Sequence, residues 1–253
     1  MNVFPRPALM AALLLPALLL AADATAQSKK GYKAIDVSDG GTIVGVVRFD
    51  GPTPATKRLD VTTKEDVCHK DPIYSEKLVV SSDRGVRWAV VSIKKITEGK
   101  PFPTYDGRED ERPTLDQTGC VFKPHVVVVP KKQPLRILNN DGVLHNVHTW
   151  PRKNRSKNVA MPGGVKEMNL KFRRDERIRV TCDVHSWMEA WIVVTKHPYY
   201  AVSDADGGFT LTEVPPGTYT LRIWHETLGE AEQQITVKPK TQSRVEFTLR
   251  QGT

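Results

Sequence analysis

The sequence has no apolar run long enough to cross a bilayer, which takes about 20 consecutive apolar residues. The longest, Ala8 to Leu20, has 13. A sustained helical period is also missing, so long helices are not expected. Cysteine is scarce, three in 253 residues, and none stands in a C-x-x-C-H string, which excludes haem attachment of the c type. No His-x-His pair occurs among the seven histidines, and no nucleic-acid-binding motif is present.

What is there begins with a leader. Arg6, the apolar run and the small-residue site Ala24-Thr25-Ala26 make residues 1–26 a secretory signal peptide, cut after Ala26. The expected location is therefore periplasmic or secreted. The first cysteine, Cys68, lies far beyond the run, which excludes a lipid-bearing cysteine at the cleavage site. The leader holds Arg6 and Asp23, so its removal leaves the net charge at +8. Such a charge favours acidic protein partners or anionic surfaces, and export makes nucleic acid the poorest candidate.

Short runs rich in Val and Ile, namely GTIVGVVRF, VRWAVVSI, HVVVVP, PLRIL, RIRV and AWIVVT, recur between clusters of Gly, Pro, Asn and Asp. That is the grammar of strands joined by turns, and the fold class it predicts is all-β, with short helices only in the 60–76 region. A charged stretch, about 53–119, separates the opening strand at 41–49 from a dense run of strands at 125–196. From His197 onward the strands alternate around two turn signals, Asp204-Ala205-Asp206-Gly207-Gly208 and Pro215-Pro216-Gly217. The pattern D-x-D-G-x-F-x-L…P-P-G-x-Y-x-L from Asp204 to Leu221 resembles the carboxypeptidase regulatory-like, or transthyretin-like, modules. That resemblance implies a small β-sandwich at 197–253. Such a module opens with an extra strand that is not obvious before Tyr199; it is either missing or supplied by GGTIVGVVRF.

The strongest chemical signal is Cys182-Asp183-Val184-His185-Ser186-Trp187-Met188, a Cys-x2-His-x2-Met skeleton followed by a strand. Two imidazoles and a thiolate in a near-trigonal plane, with a weak axial thioether, make a blue-copper site. The remaining donor is expected from Asn139 to His148, NNDGVLHNVH, after the strand that ends at Leu138. In these two motifs the chain resembles the cupredoxins, especially the plastocyanin and amicyanin group. The resemblance implies a Greek-key β-sandwich over 27–196, with 53–119 as a charged insertion. It also implies one type 1 copper ion held by His145, Cys182, His185 and Met188, with Asn146 bracing the cysteine loop.

The plain alternative is a disulfide-bonded Cys182 with the histidines merely in polar loops. An odd cysteine count in an exported chain leaves one thiol unpaired or bonded between molecules. Pairing of Cys68 with Cys120 would leave Cys182 as the free thiolate and staple the insertion to the barrel. Sequence does not fix that connectivity. His148 should point to the other face of its strand. His69 reads as a loop residue, His125 and His197 as structural, and His225 as lacking partner ligands. Met161 and Met168 read as packing residues, while Trp187 and Trp191 are expected to shield the metal.

The expected function is single-electron transfer between redox proteins, not catalysis, because four protein donors leave no open position. Copper oxidases and nitrite reductases of similar fold need a further histidine-rich centre, which the absence of His-x-His argues against. A copper carrier or a surface-binding module without redox turnover is the alternative. Arg152, Lys153, Arg155 and Lys157 follow the His145 segment closely and are expected to form a basic collar for an acidic redox partner. The oligomeric state is not legible.

Overall fold

The computed structural model describes Met1, residues 31–106, Arg108 and residues 111–252. The signal peptide expected at 1–26 lies, apart from Met1, outside the described residues. No helix among them is long and apolar enough to cross a membrane.

The regular structure of the described residues is almost entirely strand. The first part holds β1 (Lys33–Ala34), β2 (Gly41–Phe49), β3 (Val90–Ile93) and β4 (Glu98–Gly99). The middle holds β5 (Thr114–Gln117), β6 (Phe122–Lys123), β7 (Val126–Pro130), β8 (Pro134–Asn139), β9 (His145–Trp150), β10 (Lys157–Met161), β11 (Glu167–Lys171), β12 (Glu176–Thr181) and β13 (Glu189–Thr195). The last part holds β14 (Tyr200–Val202), β15 (Gly208–Val214), β16 (Gly217–His225), β17 (Gly229–Val237) and β18 (Gln242–Leu249). A 3-10 turn, Asp66–His69, falls inside the 60–76 region.

These strands build two sandwiches. In the first, the sheet β10-β9-β12-β13-β7 shares a core with the sheet β11-β8-β5-β6. Its sequences alternate as a half-buried strand must: Leu135 and Ile137 of β8 point inward between half-buried neighbours, and Ile178 and Val180 of β12 point inward on either side of the exposed Arg179. In the second, β14-β3-β16-β17 shares a core with β15-β2-β18. There Gly45 of β2 is needed for space, because a Cβ would stand 2.4 Å from the Phe209 ring. A small cluster of Val90, Val126 and Val193, with Trp191 and Trp224 in edge contact at 5.0 Å, joins the two.

The sheets do not follow the expected boundary between 196 and 197. β2 lies between β15 and β18, and β3 pairs with β14 and β16, so both complete the second sandwich although they stand within 27–196. Within the C-terminal stretch alone only β16 and β17 would pair; β3 links β14 to β16, and β2, apolar on its inward face at Ile43, Val47 and Phe49, links β15 to β18. The 53–119 stretch is likewise shared. Val86, Val91 and Ile93 pack in the second core, whereas Cys68, Ile73 and Leu115 pack in the first.

Candidate metal centre

Alternation places the chemistry. In β9, His145, Val147 and Thr149 occupy the inward positions, and His145 is the first of them. In β12 the inward series Ile178, Val180 reaches Cys182 one residue beyond the strand. β9 and β12 run antiparallel, so the start of one and the end of the other share one end of the sheet. A one-residue slip in either strand would turn its donor to solvent. The following loop folds back on itself: the Met188 amide donates to the His185 carbonyl at 3.0 Å, and the Cys182 amide to the Met188 carbonyl at 3.3 Å. His185 thereby returns over Cys182, and Met188 is buried in the same core.

The Nδ1 atoms of His145 and His185 stand 2.9 Å apart, and Cys182 Sγ lies 3.8 Å from His185 Nδ1. One donor atom from each residue lies within 4.8 Å of the others, and all three residues are buried. The outer nitrogens are both engaged. His145 Nε2 is 2.8 Å from Asp141 Oδ2, and His185 Nε2 is 2.8 Å from Glu65 Oε2. With each Nε2–H donating to a carboxylate, the lone pairs of both Nδ1 atoms are directed into one spot beside the thiol.

The electrostatics follow. Burial disfavours the Asp141 carboxylate, but hydrogen bonds from His145 and from the amides of Cys120 and Gly119 outweigh it and hold that carboxyl below the usual range. Burial would lower His145, yet Asp141 and the Cys182 sulfur raise it to about 9. Cys182 is pushed up by burial and pulled down further by His145 and by the amides of Asn146, His185 and Val184, so its thiol sits below its ordinary value.

The supports come from several elements. Asn146 accepts from the Asp183 amide at 2.5 Å and donates to the Asp183 carboxylate at 3.1 Å, tying β9 to the residue after Cys182. Its own amide points at Cys182 Sγ, 3.5 Å away. Asn139, the last inward residue of β8, donates to the carbonyls of Val143 and Met161 and so holds the turn that carries Asp141. Gly142 in that turn has φ +75°, and its carbonyl passes so close to Gly163 that a Cβ there would stand 1.9 Å from it. The Trp187 ring lies 5.0 Å from the His185 ring, and its Nε1 donates to the Cys120 carbonyl. Cys68 and Cys120 form a disulfide and Cys182 is free. The disulfide lies just outside the histidines, with Cys68 grouped with Glu65 and His185, and Cys120 with Asp141 and His145.

Other residues stand elsewhere. His148 points to the outer face, where its Nδ1 meets the Asp183 carboxylate at 2.9 Å. His125 pairs with Glu226, and His69 Nε2 meets the Thr63 carbonyl in an exposed loop. Met161 is buried in the core against Gln117, and Met168 packs at its edge. Trp191 does not shield the donors; as an outward residue of β13 it covers Trp224 instead. Nor does the run Arg152, Lys153, Arg155, Lys157 border His145. It leaves β9 at the opposite end, roughly 17 Å along the strand. Asp141 stands within the histidine motif, four residues before His145, where nothing in the string marks it as a partner of that ring. Glu65, 120 residues from its partner His185, carries no sequence signal.

Residues 188–250 match the model of the carboxypeptidase regulatory-like domain. The match begins inside the first sandwich, at β13. No curated protein matches the sequence. Among solved structures the chain is similar to a purple cupredoxin from Nitrosopumilus maritimus at 16% identity, covering 32% of this chain and 98% of that one, with a TM-score of 0.28. It is similar to an amicyanin from Paracoccus versutus at 12% identity, covering 42% and 97%, with a TM-score of 0.31. It is also similar to a copper-containing nitrite reductase from Thermus scotoductus at 16% identity, covering 42% of this chain and 25% of that one, with a TM-score of 0.30.

Proposed function

We propose that this chain is an exported type 1 copper protein that passes single electrons between redox partners. The observation that carries the reading is the donor set: two buried imidazole Nδ1 atoms 2.9 Å apart, facing each other beside a thiol whose ionisation is favoured. Two donors bonded to one ion at about 2 Å each would stand roughly 3 to 4 Å apart, and the spacings of 2.9 and 3.8 Å match that span. Opposed lone pairs at this distance repel unless a cation sits between them.

His145, His185 and Cys182 would hold copper, with Met188 as the fourth, thioether donor. Bound copper supplies a one-electron couple. Asp141 and Glu65 keep the protons on the Nε2 atoms, so both Nδ1 atoms remain available. Asn146 fixes the thiolate strand against β9, and the buried surroundings exclude water and substrate. Four protein donors leave no open position, so the reading includes no catalytic residue.

The test is spectroscopic. Copper(II) added to the protein should give an intense visible band from thiolate-to-copper charge transfer, and Cys182→Ser should abolish it while the melting transition remains. A colourless wild type, or a coloured mutant, would refute the assignment.

A further inference from the structure

The histidine edges are closed. Both rings are 0% exposed, and their outward nitrogens are taken by Asp141 and Glu65. The thiolate strand reaches the surface elsewhere. Thr181 directly precedes Cys182, and its Oγ1 accepts a 2.9 Å hydrogen bond from Trp150 Nε1. Trp150 is 50% exposed, and its ring stacks on His148 at 4.0 Å. His148 in turn meets Asp183, the residue after Cys182. Both chain neighbours of the thiolate are therefore tied to one exposed aromatic pair. Electronic coupling survives bonds and hydrogen bonds better than gaps, so this is a short conductive path from sulfur to surface.

The segment that follows Trp150 in sequence contributes Lys153, Arg155 and Lys157 to a basic cleft of about 560 Å³, which Lys171, Arg173 and Arg174 complete. Its shape is fixed by two residues. Glu176 accepts from the amides of Arg152, Lys153 and Asn154 at 2.7–2.9 Å. The Asn154 side chain accepts from the amides of Arg173 and Arg174 at 2.7 and 3.0 Å. These contacts use backbone groups, and among the described residues none of the six cations is ion-paired. Unneutralised cations on a braced loop are a surface prepared for anionic groups.

We propose that an acidic redox protein docks on this cleft and exchanges one electron with the metal through Trp150 and Thr181, rather than at the histidine edge. The proposal rests on the type 1 copper reading. One electron leaves the partner's reduced group and converts copper(II) to copper(I); no bond is made or broken.

The probe is ferrous cytochrome b5, an acidic one-electron donor, mixed by stopped flow with the copper(II)-loaded full chain. The triple variant Lys171→Glu, Arg173→Glu, Arg174→Glu should lower the second-order rate on the order of tenfold at low salt. The difference should vanish as salt rises, because the Debye length shrinks to about 3 Å at 1 M. Trp150→Ala should lower the rate at saturating donor several-fold without moving the visible band, and Trp150→Phe should do so less. Unchanged kinetics in the triple variant, with its band intact, would overturn the docking face. So would heparin retention lost in the triple variant while its electron transfer is unaltered, which would assign the cleft to a sulfated polymer. A wild type without the band would instead remove the copper reading, and this inference with it.

Discussion

The two sandwiches bury histidines in opposite ways. In the second, His197 Nδ1 accepts from the Tyr199 amide at 3.3 Å, and His225 Nδ1 accepts from the amides of Thr227 and Leu228 at 3.2 and 3.3 Å. Those rings are neutral acceptors that finish turns. In the first, the turns are finished by Asn139, Asn146 and the loop's own amides, and His145 and His185 turn their Nδ1 atoms on each other. Burial costs a polar group unless it is paired. A buried lone pair with no backbone partner, repeated on two rings beside a free buried thiol, is therefore the feature that separates a site from a structural core. Strand content and apolar alternation do not separate them.

The largest expected effect concerns the cover of the first sandwich. The Cys68–Cys120 disulfide closes a separation of 52 residues that runs out through β3 of the second sandwich and back. By the chain-entropy model such a closure stabilises by about 4 kcal/mol. Replacing both cysteines by Ala should lower stability by that order in denaturant unfolding. Amide exchange should rise around Glu65 and His185 while the β16–β17 amides of the second sandwich stay protected at the same denaturant concentration. Equal loss of protection in both sandwiches would mean that they unfold as one unit, and the comparison would fail at the level of energetics.

The next effect belongs to the second sandwich and to acid. Burial holds both His225 and His197 down to about 4, with the charge of Lys196 adding to the effect at His197. An unfolded histidine titrates near 6.5, so between about 6.5 and 4 the unfolded chain binds more protons than the folded one. Stability is complete above about pH 6.5 and is lost as pH falls toward 4, by about 3 kcal/mol for each ring. Melting temperatures at pH 7.5 and 4.5 measure this. His225→Asn, whose carbonyl oxygen can replace Nδ1 as the turn acceptor, should flatten part of the slope; an unaltered slope would assign the acid loss to other groups.

Much of this was legible in the sequence. The all-β class followed from short Val- and Ile-rich runs between turn residues. The residues of HNVH and C-x-x-H-x-x-M were singled out through the resemblance to the cupredoxins, and the structure brings His145, Cys182 and His185 of those motifs together. Other features were not legible, for identifiable reasons. Of the two alternatives for the opening strand of the C-terminal module, the structure takes the one in which GGTIVGVVRF supplies it as β2; the partners of β3 depend on which sheet has an open neighbour, and an isolated run of alternating residues carries no record of that. The basic run appeared to border His145 because the two are close in sequence, but an extended strand carried it to the far end of the sheet. Glu65 reaches His185 only because the disulfide and the 3-10 turn at Asp66–His69 bring a remote loop over the site.

The smallest expected effect compares the two carboxylates within the first sandwich. Asp141 has a side chain 2% exposed and accepts from His145 and from the amides of Gly119 and Cys120. Glu65 is 37% exposed and bonded to His185 and Thr63. Loss of a partner that orients a metal-bound histidine costs about 10- to 100-fold in affinity, and the cost should scale with how rigidly the partner is held. Asp141→Asn keeps one acceptor oxygen but sets an amide donor among three donors, so it should lie toward the upper end of that range. Glu65→Gln can present its remaining oxygen to His185 Nε2 and turn its amide to solvent, so it should lie at or below the lower end. Competitive titration of copper(I) against a chromophoric chelator gives both affinities on one scale. If Glu65→Gln proved the more damaging, the insertion would be an integral part of the metal centre, and the line between donor sheet and cover would have to be redrawn to include residues 57–75.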